Sequence, residues 1–204
     1  FMYVLLRSGW NVWSTLGMTG CLSRNEHKHS RARFGFADGG FVHFNDQRNF
    51  GTLKFSYGPS ELKRKLESLG PDMLAEEVPK ERFVQIMRKR NNWNVCEALM
   101  DQSVIAGVGN YVKAEALWLA RIDPRAEVGD LSDDALDELR ASIRNVLLSS
   151  FEHDGATFMS HKNFDGDPGS YSEQFLCYGR KTDFEGNPVE RLQTPDGRTT
   201  HWSP

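Results

Sequence analysis

Met100-Asp101-Gln102-Ser103-Val104-Ile105-Ala106-Gly107-Val108-Gly109-Asn110-Tyr111 is the stretch that decides how the chain is read. Two glycines one residue apart, directly before a helical pattern, let the backbone approach a ligand closely. Their N–H groups and the first turn of the following helix favour an anion. Asn110 has two readings: an ordinary helix cap, or a donor to a phosphate oxygen. Taken alone, Gly-x-Gly-Asn is satisfied by a tight turn between two helices. From Tyr111 to Leu119 the spacing is helical, with Ala114, Leu117 and Trp118 on one stripe.

Working outward, the 81–100 stretch carries Phe83, Ile86 and Met87 at a helical repeat. Ser132 precedes a 3.6-residue period through Leu136, Leu139, Ile143, Val146 and Leu147, with acidic residues first and arginines later, as the helix dipole favours. Before Pro59 the pattern changes to short strands. Runs at 3–6, 11–16, 32–37, 41–44 and 52–57 are separated by Ser8-Gly9, Gly17-Met18-Thr19-Gly20 and Asp38-Gly39-Gly40, a spacing that suits an antiparallel sandwich. Ser60 reads as the cap of a helix. Asn187 to Trp202 suggests a hairpin about Pro195-Asp196-Gly197.

Composition excludes several classes. The 204 residues are 39% hydrophobic and 26% charged, with no apolar run near the ~20 residues a bilayer crossing needs. Cys21, Cys96 and Cys177 form neither a disulfide framework nor a four-cysteine zinc site, so a reducing compartment, cytoplasmic or nuclear, is expected. The net charge of −3 argues against a nucleic-acid partner only on average. Residues 1–54 carry seven Lys/Arg against three Asp/Glu, and residues 126–155 carry two against eight, so positive charge is segregated. Phe1-Met2-Tyr3-Val4-Leu5-Leu6 reads as a strand already in progress, so the chain is expected to be an internal piece of a longer protein.

The full set of ordered motifs resembles the formamidopyrimidine-DNA glycosylase / endonuclease VIII family of base-excision repair enzymes. The stretch from Met100 to Tyr111, with Glu115-Ala116-Leu117 and Ile122-Asp123-Pro124, resembles that family's helix-two-turn-helix. Leu16-Gly17-Met18-Thr19-Gly20 resembles its strand-end motif, and Asn45 to Gly51 its intercalation loop. Gly70-Pro71-Asp72, Tyr178-Gly179-Arg180 and the closing Gly197-Arg198-Thr199-Thr200-His201-Trp202 also fit. Several ordered motifs are more specific than any one.

The resemblance implies an α+β fold. A partial N-terminal antiparallel β-sandwich (1–58) leads through a linker and short helix (59–80) to a helix-two-turn-helix domain (81–159). A lesion loop and zincless β-hairpin finger (160–204) close the chain. It implies a monomer that needs no cofactor and no metal, and that binds damaged DNA, duplex or single-stranded, and no membrane. Met18, Arg48 and Phe50 would fill the gap left by a flipped base. His29, Asn110 and Arg198 would position phosphates with the amides of Gly107 and Gly109, and Arg198 would assist the second elimination.

Against these roles stand plainer ones: a buried Met and Phe with a surface Arg, and a solvated mixed patch of His29 with His27, Lys28 and Arg31. Phe50 between Asn49 and Gly51 is what the plainer reading explains badly. In the 160–174 loop, Gly166 and Gly169 would give mobility, and Tyr171 or Phe164 would stack on a base.

Departures from the family pattern are expected to matter. The finger region Gly186 to Leu192 has no cysteine, so hairpin hydrogen bonds and packing of Leu192 and Trp202 would hold it. Cys96 stands where many relatives have a DNA-contacting lysine. The family's catalysis uses an amino-terminal Pro as nucleophile, a following Glu as acid/base, and a Lys at the start of the strand that here begins with Phe1. Residue 1 is Phe. The intact protein is therefore read as a bifunctional glycosylase and AP lyase on oxidised bases, and this chain as one that binds without cleaving. Two other readings remain open. One is a non-catalytic nucleic-acid-binding module, which keeps Gly107, Gly109 and Asn110 but has no reason to keep Met18, Arg48 and Phe50 together. The other is a relative that has lost its nucleophile and serves as a scaffold.

Overall fold

The computed structural model describes residues 1–17, 20–156 and 169–204. They fall into two compact units, one built from Phe1–Leu66 with Glu152–Glu173, the other from Glu67–Phe151 with Gln174–Pro204.

Among the described residues, six short strands make up most of the first unit. β1 (Met2–Leu5), β2 (Trp10–Thr15) and β6 (Thr52–Tyr57) form one antiparallel sheet in the order β1-β2-β6; β3 (Gly20–Ser23), β4 (Ser30–Gly35) and β5 (Phe41–Asp46) form another in the order β3-β5-β4. Alternation sorts the side chains. Val12 lies opposite Val4 on one side and Phe55 on the other, and Val4, Val12, Leu22, Phe34, Val42 and Leu53 line an apolar cavity of about 540 Å3. Phe34 of one sheet meets Phe55 of the other at 6.4 Å between ring centroids. The cavity is not sealed: Val4 and Phe36, which both line it, are each 56% exposed.

Helix α1 (Ser60–Glu67) begins at Ser60 itself, one residue earlier than a Ser60 cap implies. Pro59, with its fixed φ, precedes it, and its carbonyl accepts the N–H of Lys63.

The second unit is helical. The repeat over 81–100 is broken into α2 (Lys80–Arg88) and α3 (Val95–Met100), because Asn94 starts a new helix with a capping box. Its side chain accepts from Cys96 N–H, and Glu97 reaches back to Asn94 N–H. α5 (Asp133–Glu152) follows its predicted period, and Ser132 caps it by accepting the Ala135 N–H. Its arginines do not serve the dipole, since its last turn has no basic residue. Arg140 donates instead to the Val78 carbonyl, and Arg144 to those of Met73 and Glu76, tying the segment before α2 to α5. The core is Met73, Val78, Phe83, Met87, Leu99, Ile105, Leu117, Leu136, Leu139 and Ile143.

α4 (Asn110–Leu119) differs from a one-sided amphipathic helix: every residue from Val112 to Trp118 is buried, including Lys113 and Glu115. It is the central helix of its unit, surrounded by neighbours on all sides. The chain ends in an antiparallel hairpin, β7 (Glu190–Gln193) with β8 (Thr199–Trp202), in the register Leu192 to Thr200.

Candidate nucleic-acid interface

In the second unit the glycine turn is built by Gln102. Its Oε1 accepts the Gly107 N–H at 2.9 Å while its Nε2 donates to the Val108 carbonyl at 3.0 Å, so one side chain closes the loop. The Gly70-Pro71-Asp72 segment braces it from behind. Gly70 N–H donates to Gln102 O, Ala106 N–H donates to Pro71 O, and a Cβ on Gly70 would lie 2.3 Å from the Val104 carbonyl oxygen. Gly107 has φ +89°, which favours glycine. Gly109 does not need to be glycine for the fold: its φ is −115°, and a Cβ built there meets nothing within 4 Å. It is the cap residue of α4, and no side chain caps the first turn. The result is an open helix N-terminus with room for backbone-close approach.

Asn110 is the first residue of α4, not its cap. Its Nδ2 donates to the Thr199 carbonyl at 3.0 Å and to the Tyr178 hydroxyl at 3.4 Å, and its Oδ1 is buried without a partner. The amide that the resemblance assigns to a phosphate is thus already engaged within the protein. It holds β8 against α4. Arg198 precedes Thr199; it is exposed, and among the described residues its guanidinium makes no ion pair.

Two buried carboxylates fix the neighbouring chain. Glu115 accepts the backbone N–H groups of Leu176, Cys177 and Tyr178 at 2.8, 2.9 and 2.6 Å. Asp183 would be pushed up by burial, but bonds from Ser203, from the backbone and side chain of Asn187 and from Trp118 hold its carboxyl well below the ordinary carboxylate range. Zinc does not fit this finger. Burial, then the nearby Glu115 and Asp183, push the Cys177 thiol up to about 12, and residues 186–192 offer no Cys or His. Cys96 is fully buried, with Sγ 3.9 Å from the Thr200 hydroxyl, so it makes no outward contact in place of a lysine.

In the first unit Asp46 closes the loop after β5. Its two oxygens accept the N–H groups of Arg48 and Gly51, and Asn49 takes φ +56°. Phe50 is 55% exposed, and the Arg48 guanidinium stacks 4.5 Å from its ring centroid. The two sequence-predicted residues therefore come together at the surface, against the plainer reading of a buried Phe. Gly17 packs on this loop, where a Cβ would lie 2.9 Å from the Phe50 carbonyl carbon. His29 is half-buried, and its carbonyl accepts the Asp46 N–H at the base of the loop. Met18, Phe164 and Gly166 lie outside the described residues. Tyr171 does not offer its ring to a base: it is 4% exposed and packs beside His153.

Residues 69–162 match the formamidopyrimidine-DNA glycosylase H2TH domain. The formamidopyrimidine-DNA glycosylase of Salinispora arenicola is 33% identical over 202 residues, covering 96% of this chain and 69% of that protein. The chain belongs to the formamidopyrimidine-DNA glycosylase family. The Alteromonas mediterranea member is 34% identical over 86% of this chain and 65% of its own length, so the chain spans about two thirds of these relatives. The crystal structure of the Thermus thermophilus MutM (Fpg) protein matches with a TM-score of 0.88 and 31% identity, over 99% of this chain and 77% of that one. The Lactococcus lactis Fpg bound to Fapy-dG-containing DNA matches with a TM-score of 0.85 and 25% identity, over 99% and 76%. The α+β fold expected of the family is the fold found, and α2 through α5 lie within the stretch that matches the H2TH domain.

Gln102, Asp46, Lys113 and Asp196 escaped the sequence reading as site residues. Only Gln102 had a legible signal, a long amide side chain five residues before a glycine turn.

Proposed function

We propose that the whole protein is a base-excision-repair DNA glycosylase with AP-lyase activity on oxidised bases, and that residues 1–204 supply its grip on damaged DNA. The observation that carries this reading is the α4 N-terminus: Gly107 and Gly109 open it, no side chain caps it, and Asn110 ties it to the strand that follows Arg198. A phosphate seated there would accept from backbone N–H groups of the first turn, which no side chain caps, with Arg198 as its cation. Arg198 would also neutralise the phosphate leaving in the second elimination.

Extruding a base leaves a gap in the stack. Phe50 and Arg48, exposed and stacked on one another, suit it: the ring replaces lost stacking and the guanidinium bonds the widowed base. Met18 is assigned with them on the family pattern. The nucleophilic amine and its acid/base Glu have no match within residues 1–204, so this chain is expected to bind and not to cleave.

Two assays test the reading. Affinity for duplex carrying an abasic site is compared with affinity for the intact duplex, and borohydride trapping is attempted on the abasic duplex. Preference for the abasic duplex without trapping is the expected result. Equal affinity favours a non-catalytic binding module, and a trapped adduct overturns the non-cleaving part.

A further inference from the structure

The terminal hairpin has four residues per strand, and an isolated two-stranded ribbon of that length does not hold its own shape in water. Its turn nevertheless carries Arg198, and the residues present do not fit a metal. Lys113 anchors its turn, beside the hold of Asn110 on β8. This lysine sits in the middle of α4 with its side chain fully buried, and its Nζ lies 2.6 Å from Asp196 Oδ2, whose side chain is 3% exposed. The other Asp196 oxygen takes the Thr194 hydroxyl. That hydroxyl also lies within hydrogen-bond distance of the Arg198 carbonyl and of Thr200 Oγ1. Arg198 is thus bracketed, by Asp196 two residues before it and Thr199 directly after it. Both brackets run to α4, at Lys113 and Asn110, which are three residues apart on one face of the helix.

We propose that Lys113 is a positioning residue for Arg198, and that the buried Lys113–Asp196 ion pair sets the guanidinium at a fixed place relative to the open N-terminus of α4. The inference rests on the reading of Arg198 as a phosphate-gripping residue. An apolar anchor would hold the hairpin as tightly but without one defined register. A buried pair accepts only the arrangement in which each charge meets the other, since either charge alone is strongly disfavoured inside. Removing the ammonium leaves Asp196 as an uncompensated buried charge, and the turn swings toward water to hydrate it, taking Arg198 with it.

The test uses the full 204-residue chain as Lys113→Met, Lys113→Met/Asp196→Leu and Arg198→Ala, with Arg198→Ala also placed in the first two backgrounds. Amide exchange read by mass spectrometry over residues 194–200 is expected to quicken by about tenfold or more in Lys113→Met while α5 keeps its protection. On duplex with an abasic site, Arg198→Ala is expected to weaken binding about tenfold in the parent chain and by less than about twofold once Lys113 is Met. The Met/Leu pair keeps the comparison alive if the single variant unfolds: it restores thermal stability but not the full Arg198 effect. Unchanged exchange in Lys113→Met, or an equal Arg198→Ala effect in parent and Lys113 variants, overturns the proposal. If Arg198→Ala costs nothing in the parent while exchange still quickens in Lys113→Met, the reading of Arg198 falls and the anchoring of the turn by Lys113 stands.

Discussion

The carboxylate of Glu115 accepts the backbone N–H of Cys177 at 2.9 Å, in the middle of three consecutive amides that all point to it. A side chain in the centre of α4 thereby substitutes for the strand or helix partner that residues 176–178 lack. Buried backbone donors must be satisfied somewhere, and here one anion satisfies three.

Glu115→Gln keeps the shape and removes one acceptor oxygen. At least one of the three N–H groups then faces an amide NH2, and a buried donor left unpaired costs about 1–3 kcal/mol. The urea midpoint of the chain should fall by a matching amount. An unfolding free energy within about 0.5 kcal/mol of the parent, the range of ordinary surface changes, would mean that water reaches these amides and that Glu115 is not their sole acceptor.

Phe50→Ala should separate binding from folding. The ring is more than half exposed and touches Arg48 rather than the core, so its loss should shift stability by no more than about 0.5 kcal/mol. Stacking of an aromatic ring on a base is worth about 1–3 kcal/mol, so affinity for abasic-site duplex should drop about tenfold. Intact duplex, which has no gap to fill, should bind almost as before. A large thermal destabilisation with both affinities unchanged would return Phe50 to a packing role.

The elements that the sequence disclosed are those with local signals. The period of α5 and its Ser132 cap, the Asp38-Gly39-Gly40 hairpin and the glycine turn before α4 are all written within a few residues of where they act. What escaped was long-range. Asn110 looked like a cap or a phosphate donor because its partner, the Thr199 carbonyl, is 89 residues away. Ala114, Leu117 and Trp118 gave α4 one apolar stripe, and nothing nearby in sequence says that Asp196 and residues 176–178 will bury Lys113 and Glu115 as well. The break at Asn94 was legible in principle, since Asn94 and Glu97 spell a capping box, but the apolar repeat around it masked the signal.

The cysteines should differ sharply in reactivity. Burial pushes the Cys96 thiol up to about 11 and the Cys177 thiol up to about 12, whereas Cys21 is only half-buried on β3. At pH 8 the thiolate fractions of the two buried groups are on the order of 10⁻³ and 10⁻⁴, and it is the thiolate that reacts. A thiol-specific reagent should therefore modify one group per native chain and three after unfolding in urea. Rapid modification of Cys96 in the native chain would mean that the contact between α3 and β8 opens on the timescale of labelling.

Acid should destabilise the second unit in two steps, both of the same sign. Burial, and then the positive charge of Arg191 opposite it in the hairpin, hold the His201 imidazole below its ordinary 6.5; its ring meets that of Tyr178 edge-on at 4.8 Å and its Nδ1 is buried without a partner. The unfolded chain takes up a proton near 6.5 while the folded chain does not. The stabilisation is therefore complete above that pH and declines as the pH falls through it. Asp183 acts lower down. Its hydrogen-bonded carboxylate is held below the ordinary value of 3.8, so its contribution is complete above about 4 and is lost as the folded carboxylate is finally protonated. Urea midpoints measured between pH 3 and pH 8 should be flat at the top, bend downward below about 6.5 and steepen below about 4. His201→Phe should remove the upper bend and leave the lower one. Persistence of the upper bend in that variant would place its origin in another group and overturn the assignment to His201.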